Sequence, residues 1–205
     1  MIVIIDYGMG NLFSIQSAIT YLGAESIVSS DPNIICNADR IILPGVGSFY
    51  KAMENLHTAD LVKVLRGTVI DRKIPILGIC LGMQLLGLSS TEDGFREGLG
   101  LIKCSVERFE GQKFDGLKIP HVGFDTVSVK HKSKLFDGFN SQVDFYFTHS
   151  YRMKFTDQAY AAGICRHGES FIAAFEKENI CGTQFHPEKS QTNGLFLLRN
   201  FVRNF

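Results

Sequence analysis

The chain has 205 residues, 45% hydrophobic and 20% charged, which suffices for one domain, 1–205, with a sizeable core. Lys plus Arg number 21 and Asp plus Glu 21, so the net charge is zero and neither a nucleic acid nor an anionic membrane is expected as a partner. The start lacks the pattern of a signal peptide, no stretch could span a bilayer, and Cys36, Cys80, Cys104, Cys165 and Cys181 form no CxxC pair, so a reducing, cytoplasmic setting is expected.

Ile2 to Ile5 reads as a strand, Asp6-Tyr-Gly-Met-Gly-Asn11 as a turn, and Leu12, Ile15, Ile19 and Leu22 recur at helical spacing. Ile41 to Leu43 followed by Pro44-Gly-Val-Gly47 repeats the arrangement of strand, glycine-rich turn and helix-compatible segment. Ile74 to Ile79 followed by Cys80-Leu-Gly-Met-Gln-Leu-Leu86 repeats it again. Apolar strands alternating with helices predict a parallel sheet buried on both faces. From about Leu99 the segments become short, alternating and turn-separated. Leu117 to Ile119, Asp125 to Val129, Val143 to Phe147, Ala159 to Cys165 and Phe171 to Phe175 are predicted antiparallel additions at the sheet edge. Ile180 to Phe185 reads as a further buried strand, and Leu195, Leu198, Phe201 and Val202 share one stripe of a closing helix over 193–205. The expected class is α/β, with a mostly parallel central sheet flanked by helices and antiparallel edge strands.

Residues 78–82, Gly-Ile-Cys-Leu-Gly, fit a strand-to-helix elbow with Cys80 in the nucleophile position. Small neighbours let a side chain project from such a turn, and the following helix start lowers a thiol pKa and offers N–H groups to an oxyanion. A buried cysteine at a tight turn is the other reading of the same five residues. Of the six histidines, His57, His121, His131, His149, His167 and His186, the last is best placed. A buried strand delivers it, Pro187 turns the chain, and Glu188 stands where a carboxylate could orient the imidazole; a surface turn with an ion-paired Glu188 is the alternative. Pro44-Gly-Val-Gly47 reads either as a plain turn or as a loop whose peptide can flip between oxyanion-competent and incompetent states. The GxG of residues 8–10 has neither a third glycine nor a following GK[ST], so no nucleotide site is expected. Lys103, Lys130, Lys132 and Lys134 read as solvated surface, and no residues stand at metal-ligand spacing.

Taken together and in this order, Pro44-Gly-Val-Gly47, Gly78-Ile-Cys-Leu-Gly-Met-Gln84 and Gln184-Phe-His-Pro-Glu-Lys-Ser190 resemble the class I (triad) glutamine amidotransferases. Asp6-Tyr-Gly-Met-Gly-Asn11, Ile119-Pro-His-Val-Gly123 and Tyr146-Phe-Thr-His-Ser-Tyr151 narrow the resemblance to the glutaminase subunits of imidazole glycerol phosphate synthases, essentially end to end. The resemblance implies one glutaminase domain that hydrolyses glutamine to glutamate and ammonia through a thioester. Cys80 would be the nucleophile, His186 the general base and acid, and Glu188 its orienter. The Leu81 N–H and an N–H from Val46 or Gly47 would hold the oxyanion, and Gly47, Gln84, Glu92, Ser150 and Tyr151 the substrate. Neither a metal nor another cofactor is implied. The partner implied is a separate (β/α)8 cyclase barrel, forming a heterodimer, to which ammonia is channelled to make imidazole glycerol phosphate and AICAR in histidine biosynthesis. Asn11, Pro120, His121, Phe124 and Lys189 would face it, and a ligand on the cyclase would activate the glutaminase allosterically. Phe124-Asp125 stands where such subunits usually have Trp-Asn. An alternative is a paralogous subunit that supplies ammonia to amidinate a surface-polysaccharide sugar.

Overall fold

The computed structural model describes residues 1–110, 118–130, 133–155 and 160–205. Its first half alternates strand and helix: β1 (Ile2–Ile5), α1 (Leu12–Tyr21), β2 (Ser26–Ser29), α2 (Pro32–Cys36), β3 (Arg40–Leu43), α3 (Phe49–Thr58), α4 (Leu61–Ile70), β4 (Ile76–Ile79) and α5 (Leu81–Leu85). The strands β5 (Ser89–Ser90), β6 (Arg96–Glu97), β7 (Cys104–Arg108), β8 (His121–Val129), β9 (Gln142–His149) and β10 (Tyr151–Phe155) follow. Then come β11 (Ala161–His167), β12 (Glu169–Lys177), β13 (Ile180–Thr183), a 3-10 turn at Pro187–Lys189 and α6 (Gln191–Asn204). Among the described residues no helix is long and apolar enough to cross a membrane.

A nine-stranded sheet runs in the order β2-β1-β3-β4-β13-β12-β11-β8-β9. The five strands from β2 to β13 pair in parallel, and the ladders from β13 through β12, β11 and β8 to β9 are antiparallel. The apolar runs of β1, β3 and β4 are explained by burial on both faces. Val3, Ile5, Ile41, Leu43 and Ile76 pack with Phe49, Met53 and Leu56 of α3 and Leu61, Leu65 and Val69 of α4. The alternate positions Ile2, Ile4, Ile42, Leu77 and Ile79 pack with Ile15 and Ile19 of α1 and Leu197, Leu198 and Phe201 of α6. Each such side chain contributes about 1.5–3 kcal/mol on burial, more than an exposed pair such as Lys51 with Glu54, for which roughly 0–1 kcal/mol is typical.

A second sheet, β10-β7-β5-β6, has no counterpart among the elements expected from the sequence. β5 and β6 are two residues each and polar, so no apolar alternation announces them. The expected strand at Leu117 to Ile119 is not formed where it can be described: Leu117 lies outside the described residues, and Lys118 and Ile119 precede Pro120, which has no N–H to give a ladder. The strand begins instead at His121. That expected from Ala159, also outside the described residues, begins at Ala161.

Candidate active site

The parallel strands β3, β4 and β13 end together, and three segments meet beyond their carboxyl ends. Cys80 follows β4 directly and precedes α5. Its φ of 53° and ψ of −109° put a non-glycine residue in a left-handed region, a local cost of about 1–3 kcal/mol that the surroundings must sustain. They do so partly through the Cys80 N–H, which donates to the Thr183 carbonyl at 2.7 Å. The two glycines of the elbow are dictated by space. A Cβ on Gly78 would lie 2.7 Å from the Gly82 carbonyl oxygen and from Met83 N, and a Cβ on Gly82 would lie 2.8 Å from the Leu43 carbonyl carbon. The elbow therefore packs backbone against backbone, with the first N–H groups of α5 beside the thiol and lacking intrahelical partners.

His186 leaves β13 just beyond Thr183, and its Nδ1 donates to Glu188 Oε1 at 2.8 Å, with both side chains buried. That hydrogen bond leaves Nε2 without a hydrogen-bond partner among the described residues, and His186 and Cys80 line the same cleft. Ser190 fixes the turn, donating to the His186 carbonyl at 2.6 Å and accepting from Tyr146 N–H at 2.9 Å. Burial on its own would depress the His186 pKa, but the interactions with Cys80 and Glu188 outweigh it and raise the imidazole from 6.5 to about 10. A raised native pKa contributes stability that is complete below 6.5 and lost as pH climbs through about 10. Urea midpoints measured from pH 7 to pH 10 are expected to fall with the release of about one proton on unfolding, and the slope is expected to flatten in His186→Asn.

A cleft of about 190 Å³ opens at this junction, lined by Val46, Gly47, Cys80, Leu81, Gln84, Glu92, Thr148, His149, Ser150, Tyr151 and His186. Every residue expected to act as nucleophile, base, oxyanion donor or substrate contact thus lines it, and Glu188 stands behind His186. Gln84 donates both amide hydrogens to protein, to the Tyr151 carbonyl at 2.9 Å and Gln184 Oε1 at 3.0 Å, so only its Oε1 remains to accept from a ligand. Glu92 Oε2 accepts from Phe49 N–H at 2.9 Å. Burial, only partly offset by that bond, raises its pKa. Gly47 has a φ of 100°, and Tyr7 Oη donates to the Pro44 carbonyl at 2.7 Å, anchoring the start of the loop. A larger hollow of about 510 Å³ between β9 and α6 contains no thiol, histidine or lysine among its lining residues.

Of the residues expected to face a partner, Pro120, Phe124 and Lys189 are exposed, and Asn11 is half-buried, accepting from Ser14 N–H at the start of α1. The Phe124 ring meets Tyr146 edge-on at 5.6 Å, and Lys189 Nζ lies 5.8 Å from the centre of the Tyr146 ring, so the three form one patch. His121 corrects the expectation. It is 3% exposed and stacked between Phe147 at 4.6 Å and His167 at 4.0 Å. The cause is strand alternation, since β8 turns Val122 and Phe124 outward and His121 inward. Burial, foremost, pushes His121 down to about 4 and His149 down to about 3.

Residues without an expected role also touch the centre. Gln184 Nε2 donates toward Cys80 Sγ at 3.6 Å, and the Thr148 carbonyl lies 4.0 Å from the same sulfur. The signal for Gln184 was available, because in an extended segment it lies two residues before His186 and so faces the same side. Thr148 and His149 fall within the Tyr146–Tyr151 motif, but the motif assigned a role only to Ser150 and Tyr151.

Comparison with known proteins gives the family. Residues 3–205 match the family described as Glutamine amidotransferase class-I. The imidazole glycerol phosphate synthase subunit HisH 1 of Campylobacter jejuni subsp. jejuni is 43% identical over 99% of this chain and 100% of its own length. HisH of Geobacter sulfurreducens is 45% identical over 98% of this chain and 97% of its own, and HisH of Sulfurimonas denitrificans is 44% identical over 99% and 98%. Among solved structures, PurLQS from Thermotoga maritima superposes with a TM-score of 0.73 at 18% identity, covering 99% of this chain and 97% of that one. A glutamine amidotransferase from the same organism gives 0.69 at 15% identity, covering 99% and 96%. These two likenesses concern the fold.

Proposed function

The chain belongs to the class I glutamine amidotransferases and, within them, to the HisH subunits of imidazole glycerol phosphate synthase, and on that premise we propose how its own residues perform the reaction and meet a partner. It is a glutaminase subunit of histidine biosynthesis, hydrolysing glutamine to glutamate and ammonia. The observation that carries the mechanism is the cleft in which the Cys80 thiol, the His186 imidazole and the buried Glu188 carboxylate stand in sequence.

Cys80 Sγ attacks the side-chain amide carbon of glutamine, and His186 Nε2 holds the thiol proton. The carbonyl oxygen becomes an oxyanion, met by the Leu81 N–H and an N–H of the Val46-Gly47 segment. Collapse of the intermediate breaks the carbon–nitrogen bond. His186 gives its proton to the leaving nitrogen, which departs as ammonia and leaves a glutamyl thioester on Cys80. Water then loses a proton to His186 and attacks the thioester carbon, the sulfur leaves, and glutamate is released. Glu188 holds Nδ1 protonated throughout, which keeps Nε2 as the working atom. Oε1 of Gln84 and the carboxylate of Glu92 are acceptors suited to the substrate ammonium, with Ser150 and Tyr151 completing the wall.

Ammonia lost to solvent would be wasted, so the partner is a separate cyclase subunit of (β/α)8 form, and the two make a heterodimer in the cytoplasm. The patch of Phe124, Tyr146 and Lys189 supports a docking face beside the cleft. Glutamate release by the chain alone, then with the same organism's histidine-pathway cyclase and its nucleotide ligand, tests the reading. Strong activation in the mixture is expected, and no complex with no activation would sink the pairing. Phe124→Ala is expected to weaken the complex about tenfold or more, as truncation of an aromatic anchor does, with the unfolding midpoint of the free chain unchanged. Calorimetric titration against the cyclase checks it.

A further inference from the structure

Behind the wall of the cleft, β8 and β11 gather three donor atoms of different chemistry. His121 and Asp125 are four residues apart on β8 and share its inward face, with His121 Nε2 3.2 Å from Asp125 Oδ2. Cys165 comes from the neighbouring antiparallel strand, β11. One nitrogen, one carboxylate oxygen and the Cys165 sulfur all lie within 4.8 Å of one another.

Hydrogen bonding determines which lone pairs are free. The Tyr151 carbonyl, 2.8 Å from His149 Nδ1, can only accept, so that nitrogen carries the proton. His149 Nε2 is then an acceptor, and His121 Nδ1, 3.3 Å away, donates to it. His121 therefore turns a bare Nε2 toward a carboxylate oxygen. Two acceptors facing each other at 3.2 Å need positive charge between them, supplied by a proton on His121 or by a metal ion, and of the two only the metal ion would also use the Cys165 sulfur.

We propose that His121, Asp125 and Cys165 bind a divalent transition-metal ion of the zinc class. The donor set of imidazole, carboxylate and thiol suits zinc and excludes the hard cations calcium and magnesium, which take oxygen ligands. With metal–nitrogen and metal–sulfur bonds of about 2.0–2.3 Å, tetrahedral ligands stand a little over 3 Å apart, so the nitrogen–oxygen pair is already at the needed separation. The chain from His121 through His149 to the Tyr151 carbonyl is the outer support that fixes the tautomer of a ligating histidine. Asp125, with its side chain 36% exposed, gives the ion a way in, and water would fill the fourth position. Binding displaces the Cys165 thiol proton, so one proton leaves for each ion bound. No ligand spacing in the sequence could reveal the site, because its donors come from two strands.

The test uses the full chain carrying Cys80→Ala, which removes the thiol of the cleft as a competitor. Titration with zinc is expected to show one equivalent bound with release of about one proton. Cobalt is expected to give a thiolate-to-metal charge-transfer band that disappears in Cys165→Ser. Asp125→Asn, at a half-exposed position that does not threaten folding, is expected to weaken zinc binding about tenfold or more. The proposal is overturned if no saturable binding is found, if the cobalt band survives Cys165→Ser, or if Asp125→Asn binds zinc as tightly as its parent.

Discussion

Replacing Cys80 by Ala is expected to lower glutamate release by about 10⁴-fold or more, the scale on which removal of a nucleophile acts when the other members of its constellation remain. The chemistry has no substitute. Gln184 and the Thr148 carbonyl face the position of the sulfur, but neither is a nucleophile able to form a thioester. The variant is expected to fold, because Ala retains the Cβ and the same left-handed backbone at φ 53°, with stability lowered only by what the His186 and Gln184 interactions with the sulfur contributed. Cys80→Gly separates the two effects: equally inactive, it should be more stable by about 1 kcal/mol, since glycine adopts that region without strain. Glutamate assayed with a coupled dehydrogenase, together with urea unfolding of all three proteins, reads both quantities. Activity retained in Cys80→Ala would remove the thioester mechanism.

Strands β1 and β4 and the Ile41–Leu43 part of β3 were readable because they are apolar and lead into glycine-containing turns, a pattern that burial on both faces requires, whereas β2, half-buried with a serine at each end, was not readable. The second sheet was not, because β5 and β6 are held by pairing to β7 and each other and carry no apolar alternation of their own. Within the site the elbow and the His-Pro-Glu turn are local in sequence, and the expected residues stand around one cleft. What escaped is what depends on other segments. The resemblance put His121 on the partner face together with Phe124, yet the two stand three residues apart on a strand and so face opposite ways. His149 joins the cleft to the buried histidine stack through hydrogen bonds to Tyr151 and His121, and only tertiary structure creates those bonds.

The strongest coupling of fold to site runs through Gly82, and Gly82→Ala is expected to be the most disruptive single-methyl change at the elbow. The added Cβ would overlap the Leu43 carbonyl oxygen and lie 3.1 Å from the Pro44 carbonyl carbon. These atoms belong to backbone at the end of a central strand, so no side-chain rotation relieves the clash, and a cost of about 3 kcal/mol or more is expected, at or beyond the upper end for overpacking. For a chain of this length that is a fall in Tm of roughly 6–12 °C. Activity should drop as well, because relief requires moving Leu43 and Pro44, which lead into the Gly45-Val46-Gly47 loop and include the carbonyl that Tyr7 Oη holds at 2.7 Å. Gly23→Ala is the control. Gly23 has a φ of 75°, but its added Cβ meets nothing within 4 Å, so only the backbone strain of about 1 kcal/mol applies. Thermal unfolding and glutamate release of the two variants check the argument: a loss at Gly82 no larger than that at Gly23 would show that the close approach of β3 to α5 does not demand glycine.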